Sequence, residues 1–240
     1  MGVTVETPEL RFDHVWIMVS PNAPERAALE RAGFQIAPTV NHHEGQGTAS
    51  VTVEFQNAFL ELMWLDPDVP VAPGYERAVE KFRQRVLWRT SGWCPIGIGF
   101  RRTSPASAPL PFPTWSLKPD WLPPGSSIEM LTPRDDTKSP SLFISPRELA
   151  MDEATVLKFI NSGSPNASMY RHPNGVRRVT AVRLVSPKTY EPIEPLTYLQ
   201  KLKVVELGQN DDWLVELTLD GGQKHKVQDM RPQLPLLVRY

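Results

Sequence analysis

The sequence predicts an α+β protein built from modules that run strand, helix, strand, strand, strand. Three observations carry this. The stretch "RFDHVWIMVS" is strand-forming and is followed at once by helix punctuation. "TASVTVEFQNAFLELMWL" alternates apolar and polar residues around an Asn57-Ala58 turn. The same order of elements recurs in the last third of the chain. At 240 residues the chain is long enough to bury a core without metals or disulfides.

Alternation over Val15 to Val19 puts His14, Trp16 and Met18 on one face of the first strand, with Val15, Ile17 and Val19 on the other. In "SPNAPERAALERAGF", Asn22 is a plausible N-cap, Pro24 suits a first turn and Gly33 supplies a left-handed stop. That gives a helix of about nine residues. "FQIAP" reads as a brief strand, and "TVNHHEGQG" as a loop with two histidines. In the next strand Val51, Val53 and Phe55 face one way and Ser50, Thr52 and Glu54 the other. Glu61 then shares a face with Phe59 and Met63. A carboxylate set in "AFLELMWL" needs a cation or strong hydrogen bonds, since burying it unpaired costs several kcal/mol or shifts its pKa.

"APGYERAVEKFRQRVLWR" is an amphipathic helix with Val79, Phe82 and Val86 inward, followed by the strand "CPIGIGF". From Thr103 to Pro146, prolines and serines argue for long ordered loops around the short strands "SIEML" and "SLFIS". "PRELAMDEATVLKFINSG" is a helix candidate with a break. The end of the chain offers a strand from Val179 to Val185, a helix over Leu196 to Leu202, and strands near Val204, "DWLVELTL" and "KHKVQ".

Twenty-six basic residues against 27 acidic ones leave a net charge of -1, with no basic stripe to track phosphates, so nucleic acid is not an expected partner. The single cysteine, Cys94, rules out an internal disulfide framework and a Cys-based zinc site, and suits a reducing, cytoplasmic setting. With no activating histidine beside it in sequence, it is expected to be buried and inert. The N-terminus has no apolar signal core, and no stretch approaches the roughly 20 apolar residues of a membrane span. Phosphate-loop, GxSxG and HExxH patterns do not occur.

"FDHVWIMV", the helix ending "RAGF", "HHEGQGTAS" and "FLELMWL" together resemble the glyoxalase-like branch of the vicinal oxygen chelate superfamily. The resemblance is best over residues 11 to 65 and continues more weakly through "GWCPIGIGFR", "SLFISP" and "HPNGVRRVTAVRLVSP". It implies paired βαβββ modules forming a cupped, curved mixed sheet with helices on its convex side, in a single domain over 1–240. The first module spans 10–66, a divergent second module with a proline-rich insertion 93–175, and a module-like extension 176–240.

The resemblance also implies a divalent metal ion (Zn, Mn, Fe, Co or Ni) in the concave face, with His14 and Glu61 as first-module ligands. Glu61 and His43 are the candidate catalytic residues. Trp16, Ser50, Thr52, Ser145 and His172 are candidate substrate contacts. Two departures stand out: Ser145 where related sequences often carry Glu, and Ala49-Ser50 where they carry Asn. The implied activity is isomerase or lyase chemistry on a small oxygenated metabolite, by metal-assisted enolate formation. The alternatives are a metal-free binding or sequestration protein for a hydrophobic or aromatic molecule, and a metal-free cyclase using the same cup. Module exchange makes a homodimer plausible, and nothing in the sequence supports glutathione dependence.

Overall fold

The computed structural model describes residues 10–104, 108–136, 138–149 and 153–240. Eight strands form one curled mixed sheet. The first half contributes β1 (Leu10–Met18), β2 (Asn41–His43), β3 (Thr48–Glu54) and β4 (Phe59–Leu65), and the second half β5 (Ile96–Arg102), β6 (Trp115–Leu117), β7 (Ile128–Met130) and β8 (Ser141–Ile144). Their order is β2-β3-β4-β1-β5-β8-β7-β6. Each half closes in the same way: β1 runs parallel to β4, β5 runs parallel to β8, and the halves meet where β1 and β5 pair antiparallel. These are the paired modules expected from the sequence, and they curl the sheet into a cup. The second has a proline-rich excursion in place of the helix.

Alternation assigns the two faces of this sheet. Val15, Ile17, Val51, Val53, Leu60, Leu62, Ile96 and Ile98 point to the convex side and are almost wholly buried. There they join one core with Ala28 and Leu29 of helix α1 (Arg26–Arg31) and Leu196 and Leu199 of helix α5 (Glu194–Lys201). Helix α2 (Glu76–Val86) departs from the expected arrangement and lies on the concave side. Its Phe82 and Val86 pack on Trp16, Met18 and Met63, so it forms a wall of the cup. Helices α3 (Trp88–Ser91) and α4 (Glu153–Asn161) are peripheral.

The convex face is covered by a second, five-stranded sheet ordered β10-β9-β11-β13-β12. Its strands are β9 (Val179–Pro187), β10 (Glu206–Asn210), β11 (Leu214–Leu219), β12 (Val227–Asp229) and β13 (Leu236–Arg239). Val182, Leu184, Val215, Leu217 and Leu236 carry the shared core into it. The element order along the chain echoes the first module, but the pairing does not: β9 lies between β10 and β11 instead of closing on the last strand.

Several local expectations shift. Asn22 and Ala23 both have positive φ, so the chain turns there and α1 begins after Glu25. Gly33, at φ +79°, ends the helix as anticipated. "FQIAP" forms no strand, although its Ala37 N–H donates to the Thr52 carbonyl at 2.8 Å, while the expected loop supplies β2. Among the described residues no helix is long and apolar enough to cross a membrane.

The two sheets are tied by Asn57, in the turn between β3 and β4. Its Nδ2 donates to the Val179 carbonyl at 2.8 Å and its Oδ1 accepts the Val179 N–H at 3.0 Å, as a paired strand residue would. Replacing Asn57 by Ala strands both groups of a buried residue and is expected to lower unfolding stability by about 2 kcal/mol. Urea denaturation reads this directly, with Asn57→Asp, which keeps the acceptor, falling between wild type and Ala.

Candidate functional site

The cup encloses a cavity of about 500 Å³. Its walls are apolar: Trp16, Phe59, Met63, Phe82, Met130 and Phe143 all line it. Its floor is ionisable, with Asp13, His14, Glu54 and Glu61 reached from β1, β3 and β4 and His43 reached from β2.

His14 is held on every side. Its ring stacks on Phe59 with centroids 4.2 Å apart and meets Phe143 edge-on at 5.1 Å. Beneath it lies Gly99, where a Cβ would come within 2.8 Å of the imidazole. The neighbouring Gly97 does the same for Trp16: a Cβ there would stand 2.0 Å from the indole. Alternate glycines in "PIGIGF" therefore clear the β5 surface so that both rings can lie against the strand.

His14 Nδ1 lies 2.8 Å from Asp13 Oδ2. A carboxylate only accepts, so Nδ1 carries the hydrogen and Nε2 faces the cup. Ser145 Oγ donates to the same carboxylate at 2.9 Å, and Arg101 Nε stands 3.7 Å from its other oxygen. Burial alone would raise the Asp13 pKa, but the His14 hydrogen bond, the charges of His14 and Arg101 and the Ser145 hydrogen bond bring it below the usual value. Asp13 is thus a fixed anion behind the imidazole.

Glu61 stands between the two histidines, 3.9 Å from His14 Nε2 and 3.5 Å from His43 Nε2. Burial, reinforced by the nearby His14 and His42 and opposed by Glu61, lowers the His43 pKa, so this ring is the neutral form. At 3.5 Å a bare His43 nitrogen would be repelled by the carboxylate, whereas His14 Nε2, at 3.9 Å, stands beyond hydrogen-bond range of it. His43 Nε2 therefore carries the hydrogen, and Nδ1 accepts from the Thr48 hydroxyl at 2.9 Å. Trp121 sits over His43 with ring centroids 5.5 Å apart and donates its indole N–H to Gln46 Oε1 at 3.3 Å. Glu54, at the cup edge, has its pKa raised by burial, with Thr52 and His14 opposing and Glu61 and Asp13 adding to the shift.

Residues 12–199 match the glyoxalase-like domain family. This chain belongs to that family. A solved structure of a hypothetical protein from Staphylococcus aureus shares the fold of this glyoxalase-like protein, with a TM-score of 0.53 at 9% identity over 96% of this chain and 98% of that one. No curated protein matches it in sequence.

The strand registers test whether a glyoxalase-like metal centre fits. His14 lies beside Phe59 on β4, and Glu61 follows two residues on. In the second module Gly99 lies beside Phe143 on β8, and Ser145 follows two residues on. His14 and Gly99 are themselves partners across the β1–β5 seam. The second-module counterparts of His14 and Glu61 are therefore Gly99, which has no donor, and Ser145, whose hydroxyl serves Asp13. Among the described residues no three His, Cys, Asp or Glu side chains are arranged to hold a metal ion. The expected centre on His14 and Glu61 lacks its second half, and the residues do not fit a resident divalent ion.

Of the candidate contacts, Trp16, Thr52, His43 and Ser145 line the cup. Ser50 faces the same way but is wholly buried, with no partner for its hydroxyl among the described residues, and is not part of the cavity lining. His172 is a correction. It lies away from the cup, packed against Phe34 and Phe55, with Nδ1 accepting the Gln35 N–H at 3.0 Å and Nε2 donating to the Glu54 carbonyl at 2.9 Å. Cys94 is wholly buried, and burial pushes its thiol up to about 12. A larger cleft of about 790 Å³ runs between the two sheets, lined by Arg11, Arg102 and Arg178 among others; of the groups around the site it shares Arg101 and contains none of the cup's histidines or carboxylates.

His172 has a consequence for stability. Burial lowers its pKa, with the Glu54 carbonyl and Asp220 opposing, so the unfolded chain takes up a proton more readily than the folded one. The stabilisation is complete above the ordinary histidine value near 6.5 and is lost progressively as pH falls below it. Urea midpoints taken at several pH values are expected to fall faster with acid for wild type than for a His172→Gln variant.

Proposed function

We propose that this protein is a glyoxalase-like enzyme, an isomerase or lyase, that moves a proton on a small oxygenated molecule with an apolar body, using its own side chains. The observation that carries this reading is the set of buried Asp13, His14 and Glu61 with half-buried His43 on the floor of an apolar cup. A vessel for hydrophobic molecules gains nothing from such a floor, because every buried ionisable group costs stability unless it is paired. Here two imidazole edges instead converge on one carboxylate, and a second carboxylate fixes the tautomer of the first ring.

The chemistry suited to this set is proton abstraction next to a carbonyl. The Glu61 carboxylate takes the C–H proton, and His43 Nε2–H donates to the carbonyl oxygen as negative charge develops there. His14 Nε2, backed by Asp13, accepts the proton of a neighbouring hydroxyl and returns it to the other oxygen. Glu61 then delivers its proton to the former carbonyl carbon, which completes an isomerisation; in a lyase reaction a group on the other neighbour of the deprotonated carbon departs instead and takes the Glu61 proton. The apolar walls exclude water from the intermediate.

Proton NMR in D2O on a panel of alkyl and aryl 2-oxoaldehydes and α-hydroxyketones tests this. Protein-dependent exchange or isomerisation of at least one member is expected. Saturable binding of panel members with no exchange in any of them would overturn the reading in favour of sequestration.

A further inference from the structure

A second cavity, of about 280 Å³, opens beside the cup and shares Phe82, Leu117, Met130 and Ser141 with it. Three of these four are apolar, so the boundary the two cavities share is greasy. The far end is not. Arg77, Lys81, Arg85, Lys118 and Arg134 line the second cavity against one carboxylate, Asp136.

Most of these cations are held in place without being neutralised. Arg134 lies over the Trp115 ring at 4.3 Å, and neither it nor Lys118 has an ion-pair partner among the described residues. Lys81 Nζ donates to two backbone carbonyls, those of Arg134 at 2.6 Å and Asp136 at 3.3 Å, which orient it, and it has no ion-pair partner among the described residues. Arg85 is buried and donates to the carbonyls of Cys94 and Ser139. Of the five, Arg77 is salt-bridged, to Asp135 at 2.7 Å. Burial lowers the Lys81 pKa, with the charges of Arg77 and Arg85 adding to the shift and those of Asp136 and Asp135 opposing it. Asp136 is itself occupied by the N–H groups of Lys138 and Ser139 and by the Ser139 hydroxyl.

We infer that the substrate is an elongated amphiphile, with its oxygenated end on the His14–Glu61 floor, an apolar middle between Phe82, Leu117 and Met130, and an anionic group, carboxylate or phosphate, seated among Lys81, Lys118 and Arg134. This rests on the cup being the reaction chamber and adds the substrate class. An anion at this place relieves the repulsion among the cations, and the low-dielectric passage beside it strengthens the attraction.

The test compares binding of decanoate, decyl phosphate and decanol to wild type, to Glu61→Gln, to the double variant Lys118→Gln/Arg134→Gln and to Lys81→Met, by titration calorimetry at low salt. Melting temperatures confirm that each variant is folded. The anions are expected to bind wild type at least tenfold more tightly than decanol. Glu61→Gln keeps that preference, while the cation variants lose it with decanol binding unchanged. The carboxylate and phosphate arms show which anion is favoured. Equal binding of decanol and both anions, or a preference that survives loss of the cations, overturns the inference. Because Glu61→Gln removes the proposed chemistry and spares the anion seat, failure of the enzymatic reading and failure of this one are separately visible.

Discussion

Glu61→Gln is expected to lower turnover by roughly 10²- to 10⁴-fold, the range for removing a positioned general base. The amide fills the same space and still offers an oxygen to His43 Nε2–H, so the cup keeps its shape. What it loses is the ability to take a proton from carbon. On the proposed pathway the substrate is bound before that proton moves, so kcat carries the loss and KM stays within a few-fold. Initial rates on whichever 2-oxoaldehyde or hydroxyketone reacts, with deuterium incorporation read in parallel, measure both. A KM effect with kcat unchanged would place Glu61 in binding and remove it from the chemistry.

Gly97→Val is expected to be the most damaging single change to the fold of the cup, costing about 3 kcal/mol or more. The new Cβ would lie 2.0 Å from Trp16 Cε2 and 2.3 Å from Nε1, distances no side chain tolerates. Trp16 is hemmed in on the protein side, being buried with Phe82 edge-on at 6.1 Å and the Arg85 guanidinium 5.8 Å from its ring. The strand must shift or the indole must swing into the cavity. Thermal and urea unfolding measure the cost. A Gly97→Val/Trp16→Ala double variant is expected to be less destabilised than the two single changes together, because the clash requires both partners.

Much of the first module was legible in the sequence because its strands alternate strictly. Trp16, Thr52, Glu61 and Met63 could be placed on one face before any coordinates, and they line the cup together. The same rule hid Asp13, which by alternation belongs with Val15. The register between β1 and β5 slips between Phe12 and His14, and this bulge turns both Asp13 and His14 toward the site. The glycines of "PIGIGF" were a visible signal of close side-chain approach that alternation alone does not weigh.

The second module was harder to read, since β6 and β7 are three residues each, too short to show a period, and prolines separate them. Trp121 over His43 has no local signature, because it arrives from a loop far along the chain. The second sheet shows the limit of element order. Strand, helix, strand, strand, strand was readable there, but β13 was not, and the pairing that sets β9 between β10 and β11 depends on contacts no local pattern encodes. His172 was placed by its resemblance to family sequences and proved to serve the backbone on the convex side. Its two ring nitrogens are filled by Gln35 and Glu54 and have nothing left for a ligand.

The central claim is that the cup works through its own side chains, because the second-module counterparts of His14 and Glu61 are Gly99 and Ser145. Its most direct test is the metal content of protein purified without chelator or affinity tag, for wild type, His14→Ala and Glu61→Ala. The account predicts well under one equivalent of Zn, Mn, Fe, Co or Ni per chain, the same in all three proteins, even after incubation with each metal. Close to one equivalent in wild type that is lost in both variants would contradict it and return His14 and Glu61 to the role of ligands.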